Sequence, residues 1–295
     1  MFQNHPLSQL HVESKLGRLE VEEIKPTKQS TIKKRKRFKC DELLPQPPFL
    51  LLMASPRYSG KTNLLINLLI NKEMYCHKFD EVFIWSKSYH NDPKWSNVQF
   101  DEDYAKDHIF ETYNEIKAQQ LFQGIQERSK STHVETLFIF DDMMGDEILK
   151  AGKIQMLDRI AATGRHFDLS AIIIFQKFKK FSPTVRENAT NVVVFEQKNS
   201  TAIEQLAEEY KGDMSKEDFL RIYQIATKEP FTFLHINLQV PQSERFRKNW
   251  NHIIHLNKSE KGDSSEDEPW AKTKTTNKKN KMMKNQKAKE KKQDE

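Results

Sequence analysis

Phe49-Leu50-Leu51-Leu52-Met53-Ala54-Ser55-Pro56-Arg57-Tyr58-Ser59-Gly60-Lys61-Thr62-Asn63-Leu64-Leu65-Ile66 is an apolar run, a short polar loop and the start of a second apolar stretch. The order reads as strand, loop and helix, with Gly-Lys-Thr where a phosphate-binding loop needs it. Backbone N–H groups at the start of the helix, which the pattern predicts from Lys61 to about Lys72, can cradle phosphate oxygens with the helix dipole behind them. Lys61 is placed to reach the β- and γ-phosphates, and the Thr62 hydroxyl to ligate Mg²⁺. Ser55, Pro56, Arg57, Tyr58, Ser59, Gly60, Lys61, Thr62 and Asn63 are therefore the candidate nucleotide-binding residues. One position departs from the motif. The pattern G-x-x-x-x-G-K-[ST] asks for glycine where this chain has Ser55, so the first turn of the loop must be made differently.

Downstream lies Thr136-Leu137-Phe138-Ile139-Phe140-Asp141-Asp142, an apolar run bounded by charge and too short for a helix. A buried parallel strand reads this way because both of its faces are covered. Ligands of open α/β sheets bind outside the carboxyl ends of the strands, where the two carboxylates fall. Asp141 is read as the acid that organises Mg²⁺, partly through water, since that ion keeps much of its hydration. Asp142 is the candidate catalytic base or water-positioning group, with Glu147 a weaker alternative.

The other apolar runs complete an α/β pattern. They are Glu81–Trp85, Ser170–Phe175 ending at Gln176, Asn191–Phe195, and a further β-like stretch, Phe231–Ile236, that closes the domain. Helices are expected over about 147–162 and between about 201 and 226, and a polar, partly helical insertion over about 87–133. Strands alternating with helices imply parallel pairing and right-handed crossovers. The predicted fold is a RecA-like α/β core of the additional-strand class of phosphate-loop NTPases, with one strand between the two motif strands. Numbering the strands in chain order, the expected sheet order is 5-1-4-3-2.

The chain has 295 residues, 31% of them charged, and a net charge of +6. That length accommodates one domain, expected over 45–256, between a polar N-terminal extension (1–44) and a lysine-rich tail (257–295), both read as largely disordered. Lys33-Lys34-Arg35-Lys36-Arg37 suits either polyanion contact or nuclear import, and the sequence does not choose between them. Cys40 and Cys76 are the only cysteines. A disulfide framework is thereby excluded and a reducing compartment expected. No metal-ligand spacing surrounds either cysteine, and His133 and His166 stand apart from any such cluster. No run approaches a membrane span, and the N-terminus lacks a signal-peptide core, so a soluble intracellular protein is expected.

Three further positions bear on mechanism. Gln176, at the end of its strand, is placed to sense the γ-phosphate and attacking water. Arg165, in Thr163-Gly164-Arg165-His166, enters the same strand from the opposite edge, and is a candidate finger acting on a neighbouring subunit. Ser182–Asn188 reads as a helix start with Pro183 at its first position. There Arg186 either senses nucleotide or a neighbour, or solvates the helix.

Ser-Gly-Lys-Thr at 59–62, the hydrophobic run before Asp141-Asp142, and Gly164-Arg165-His166 leading into Ser170–Gln176 resemble the poxvirus-type DNA-packaging ATPases. These serve large DNA viruses and virophages and belong to the FtsK–HerA superfamily. The resemblance covers about residues 45–240. It implies ATP-driven pumping of double-stranded DNA into a preformed capsid by a homo-oligomeric ring, with ATP and Mg²⁺ as cofactors. A capsid or portal-vertex protein is an implied partner, no membrane is, and the implied setting is a host cytoplasm or viral factory. Lys177, Lys179 and Lys180, directly after Gln176, are candidate contacts to the DNA backbone. Arg57 also looks like the phosphate-contacting arginine of phage terminase large subunits. The lysine-rich residues after position 240 are not expected to build a terminase nuclease domain. Two other readings stay open: a nucleotide-gated capsid-docking scaffold with weak hydrolysis, and a terminase-like or other DNA translocase or helicase ATPase.

Overall fold

Four fully buried strands make the centre of the molecule. They belong to a set labelled here in chain order: β1 (Leu10–Ser14), β2 (Leu50–Ala54), β3 (Glu81–Ser86), β4 (Ile109–Phe110), β5 (Thr136–Asp141), β6 (Leu169–Phe175), β7 (Asn191–Phe195), β8 (Phe233–Asn237), β9 (Phe246–Lys248) and β10 (His252–Leu256). The helices are α1 (Lys61–Ile70), α2 (Glu102–His108), α3 (Glu115–Arg128), α4 (Met156–Thr163), α5 (Pro183–Glu187), α6 (Ser200–Tyr210) and α7 (Lys216–Thr227). This computed structural model describes residues 10–14, 41–98, 100–141, 143, 156–176, 178 and 181–256, all within the unit that runs to Asn257.

Every residue of β2, β5, β6 and β7 is buried, which is why they read as unbroken apolar runs rather than as alternating ones. The two faces of the sheet take alternate side chains. Leu51, Met53, Ile139, Ile172, Ile174 and Val193 pack with Leu64, Leu65, Leu68 and Leu69 of α1. Leu52, Phe138, Phe140, Ile173 and Val192 face the other way, against residues of α3, α4, α6 and α7 such as Phe122, Ile160, Leu206 and Phe219. Rings cluster densely on that second face, with Trp85 stacked on Phe140 at 4.7 Å between centroids.

Among the described residues the sheet has ten strands, in the order β1-β10-β9-β8-β7-β2-β6-β5-β3-β4. Its central five, β7-β2-β6-β5-β3, stand in the expected 5-1-4-3-2 order, with β2 flanked in parallel by β6 and β7, and β5 by β6 and β3. The insertion expected over 87–133 holds α2, β4 and α3, and β4 pairs with β3 at that edge. The far side of the sheet departs from the sequence reading. β8 starts at Phe233, not Phe231, pairs antiparallel with β7, and does not close the sheet. β9, β10 and β1 follow it in antiparallel pairs, and β1 comes from within the N-terminal extension. The helix after the phosphate loop ends at Ile70, two residues short of expectation. Asp142, Glu147, Lys177, Lys179, Lys180, the basic cluster 33–37 and the lysine-rich tail lie outside the described residues. Among the described residues, no helix is long and apolar enough to cross a membrane.

The antiparallel extension is fastened by a buried polar group. His235, in the middle of β8, is fully buried, with Nε2 2.8 Å from Asn191 Oδ1 on β7. It stands opposite Arg247 of β9, and its ring lies 4.8 Å from that of Trp250. Burial first, and the Arg247 charge second, push its pKa down from 6.5 to about 3. The imidazole is thus neutral and donates its Nε2–H to Asn191. Between pH 6.5 and 3 the unfolded chain takes up a proton that the folded chain refuses, so stability falls as pH falls through this window. Urea unfolding between pH 6 and 5 should show the wild type losing about 1 kcal/mol per pH unit more than a His235→Gln variant. Parallel pH profiles for the two proteins would contradict the assignment.

Candidate nucleotide site

The carboxyl ends of β2, β5 and β6 meet where β6 lies between the other two. This order places the loop after β2 beside the end of β5, with the end of β6 between them. The loop starts at Ser55, which is fully buried. Its N–H donates to the Phe175 carbonyl at the end of β6, at 2.9 Å. Its hydroxyl lies 2.6 Å from the Ser59 hydroxyl, clasping the loop four residues further on. That clasp is how the chain manages without the motif's first glycine. The left-handed turns fall instead at Tyr58 (φ 63) and Gly60 (φ 97). Gly60 accepts this backbone at little cost, whereas for Tyr58 it is strained.

Gly60 is also the N-cap of α1. It brings no capping side chain, and no acidic residue sits in the first turn. The amides at the start of α1 therefore keep their positive potential for an outside anion. Lys61, the first residue of the helix, holds its Nζ 3.6 Å from Asp141 Oδ1. The Asp141 side chain is fully buried and that of Lys61 partly so, at 16% exposed. Thr62 and Asn63 follow, half-buried, in the same turn.

Asp141 has a second set of partners that sequence reasoning missed. Its Oδ2 accepts from Ser86 Oγ at 3.2 Å and from Ser88 Oγ at 3.5 Å. Ser86 ends β3 in register with Asp141. The one available signal was a serine closing the Glu81–Trp85 run, and it means something only once β3 and β5 are neighbours. Gln197 was missed as well. Its amide donates to the Ala54 and Phe195 carbonyls at 3.1 and 2.9 Å, locking the ends of β2 and β7 beneath the loop. Its backbone N–H donates to the Tyr223 hydroxyl at 2.6 Å. A third is Phe231, which lies against Gly60: a Cβ built on that glycine would be 3.1 Å from Phe231 Cδ1.

The remaining candidates divide by edge. Gln176 follows β6 directly at the carboxyl edge and is exposed. Arg57 is exposed on the loop itself. Arg165 lies in the 3₁₀ turn Gly164–Phe167 that enters β6, and is exposed at the opposite edge, beyond reach of the loop in its own chain. Arg186 belongs to neither group. Its Nη1 is 2.5 Å from Glu209 Oε2 of α6 and its guanidinium sits over the Phe178 ring, so it has partners within its own chain. His133 pairs with Asp168, Nδ1 to Oδ2 at 2.9 Å. Among the described residues, no three His, Cys, Asp or Glu side chains form a metal cluster.

The family model described as Poxvirus A32 protein matches residues 35–233, well over half of the sequence. The chain belongs to the poxvirus A32 protein family. Among solved structures this A32-family chain is similar to the genome packaging NTPase B204 of Sulfolobus turreted icosahedral virus 2 in complex with sulfate, at 16% identity and a TM-score of 0.50. That match covers 71% of this chain and 97% of the other. It is similar at 17% identity, with the same TM-score, to B204, the DNA-packaging ATPase of Sulfolobus turreted icosahedral virus, with 71% and 98% covered. At such identities the likeness establishes the fold, that of a phosphate-loop NTPase. Among curated proteins no sequence matches the chain.

Proposed function

We propose that this A32-family chain is an ATPase that drives double-stranded DNA into a capsid, working as a homo-oligomeric ring. The observation that carries the proposal is Lys61 Nζ at 3.6 Å from the buried Asp141 carboxylate, beside a glycine-led helix start. An ammonium, amides without a capping side chain and a fixed carboxylate at one strand edge are what a triphosphate with a cation requires. Support for the packaging role comes from family membership and from the fold shared with packaging NTPases of archaeal viruses.

The donor set suits Mg²⁺. Asp141 and the Thr62 hydroxyl are hard oxygen donors, and Mg²⁺ is held by one or two carboxylates plus phosphate and water rather than by a protein cage. When bound, that ion would neutralise charge developing on the phosphates. Ser86 and Ser88 fix the Asp141 carboxylate in one orientation by their two hydrogen bonds. Loop amides and Lys61 hold the phosphates, and Gly60 lets the backbone approach them. Asp142 orients the attacking water, and Gln176 reports loss of the γ-phosphate to the segment that follows β6. Lys177, Lys179 and Lys180 of that segment grip the DNA backbone without reading sequence. Capsid or portal-vertex protein is the docking partner.

Arg57 contacts the phosphates from within the same subunit. Arg165, exposed at the far edge, completes the site of the next subunit, where a finger contributes about a thousandfold or more to turnover. Hydrolysis by the purified chain should rise on adding long duplex DNA and vanish in Lys61→Ala. Turnover indifferent to DNA would remove the motor reading. Arg165→Ala should be inactive alone yet regain activity when mixed with Lys61→Ala subunits, because mixed interfaces pair an intact loop with an intact arginine. Mixtures as inactive as their components would exclude action in trans.

A further inference from the structure

Phe231 is an aromatic residue in a costly place. It lies in the turn between α7 and β8, with left-handed backbone (φ 65) and 70% of its surface exposed. Bulky side chains avoid that backbone, and strain of this kind persists where the surroundings impose it. Here they do. Thr232 donates from both its N–H and its hydroxyl to the Glu229 carbonyl, at 3.3 and 2.7 Å. Glu229 is tied to Lys248 of β9 at 2.8 Å. Phe233 and Asn249 exchange two hydrogen bonds, of 3.2 and 2.9 Å. The turn is thereby pinned at both ends, and it holds the ring against Gly60, with Cδ1 3.1 Å from where a Cβ would stand. A second aromatic side chain, Tyr58, is 95% exposed in the loop itself.

The direction of the site says what this ring is for. With the loop read as the phosphate site, Lys61 beside Asp141 puts the γ-phosphate end of a triphosphate on the β5 side of the loop. The α-phosphate, the ribose and the base must then leave on the other side, toward β7 and β8. Phe231 is two residues before β8 and touches the loop from that side.

We propose that Phe231 is the base-stacking residue of the nucleotide site, presenting its exposed ring face to the base of a triphosphate whose phosphates lie in the 55–62 loop. The proposal rests on the nucleotide-binding reading of that loop. Stacking needs only a π face, and the Gln197 amide nearby is already committed to the Ala54 and Phe195 carbonyls. The ring's exposure means that its removal takes nothing from the core.

The test compares equilibrium binding of Mg-ATP and of inorganic tripolyphosphate to the full-length chain. Phe231→Ala should weaken ATP about tenfold and leave tripolyphosphate within about twofold, because only ATP carries a base. Phe231→Trp should keep the ATP affinity, and its added indole fluorescence should respond to ATP and not to tripolyphosphate. Unchanged ATP affinity in Phe231→Ala, or equal weakening of both ligands, overturns the stacking role. The loop itself is tested separately by Lys61→Ala, which should weaken both ligands. If that variant binds tripolyphosphate as the wild type does, the phosphate site is wrong and the stacking proposal falls with it.

Discussion

A buried carboxylate at a strand end, facing a partly buried lysine at the start of a helix, is the constraint around which the rest of the sheet is arranged. Asp141 is shielded from water on every side, and Lys61 stands 3.6 Å away on the first turn of α1. Burying either charge alone would be expensive, so the two must arrive together, and the fold has to guarantee that they do. It does so by topology. β6 separates β2 from β5 and anchors the loop at its base through the Phe175 carbonyl and the Ser55 N–H. β3 supplies Ser86 in register with Asp141. Moving β5 or β3 by a residue would turn Asp141 or its serine partner to the wrong face of the sheet.

The loop shows how a motif tolerates a changed letter. Serine in place of the first glycine keeps the geometry because its hydroxyl reaches Ser59, and because the left-handed turn has moved to Tyr58 and Gly60. What matters for phosphate binding is that amides converge, free of competing caps, and the start of α1 meets that condition. The departure at position 55 therefore does not by itself argue for a weakened enzyme.

The centre of the fold was legible in the sequence because its strands are covered on both faces. Phe49–Ala54, Thr136–Asp141, Ser170–Phe175 and Asn191–Phe195 read as strands, and the strand falling between the two motif strands, the layout of the additional-strand class, then ordered them. The edge was not legible. β4 and β9 have two and three residues, too few for periodicity to register, and β1 lies within a polar N-terminal extension. Alternating strands and helices had suggested parallel pairing throughout, and nothing local in Phe233–Asn237 announces that it runs antiparallel. The site divided the same way. Lys61, Thr62 and Asp141 announce themselves by motif. Ser86, Gln197 and Phe231 act across 55, 143 and more than a hundred residues of chain, and only the tertiary arrangement gives them a part.

The coupling of Asp141 to a cation beside Lys61 is the claim on which the whole account turns, and one calorimetric titration addresses it. ADP is titrated into the wild type and an Asp141→Asn variant, each with and without Mg²⁺, after both are shown to be folded. Mg²⁺ should tighten binding to the wild type by about tenfold or more, and this gain should be lost in the variant while metal-free binding survives. The same gain from Mg²⁺ in both proteins would contradict it.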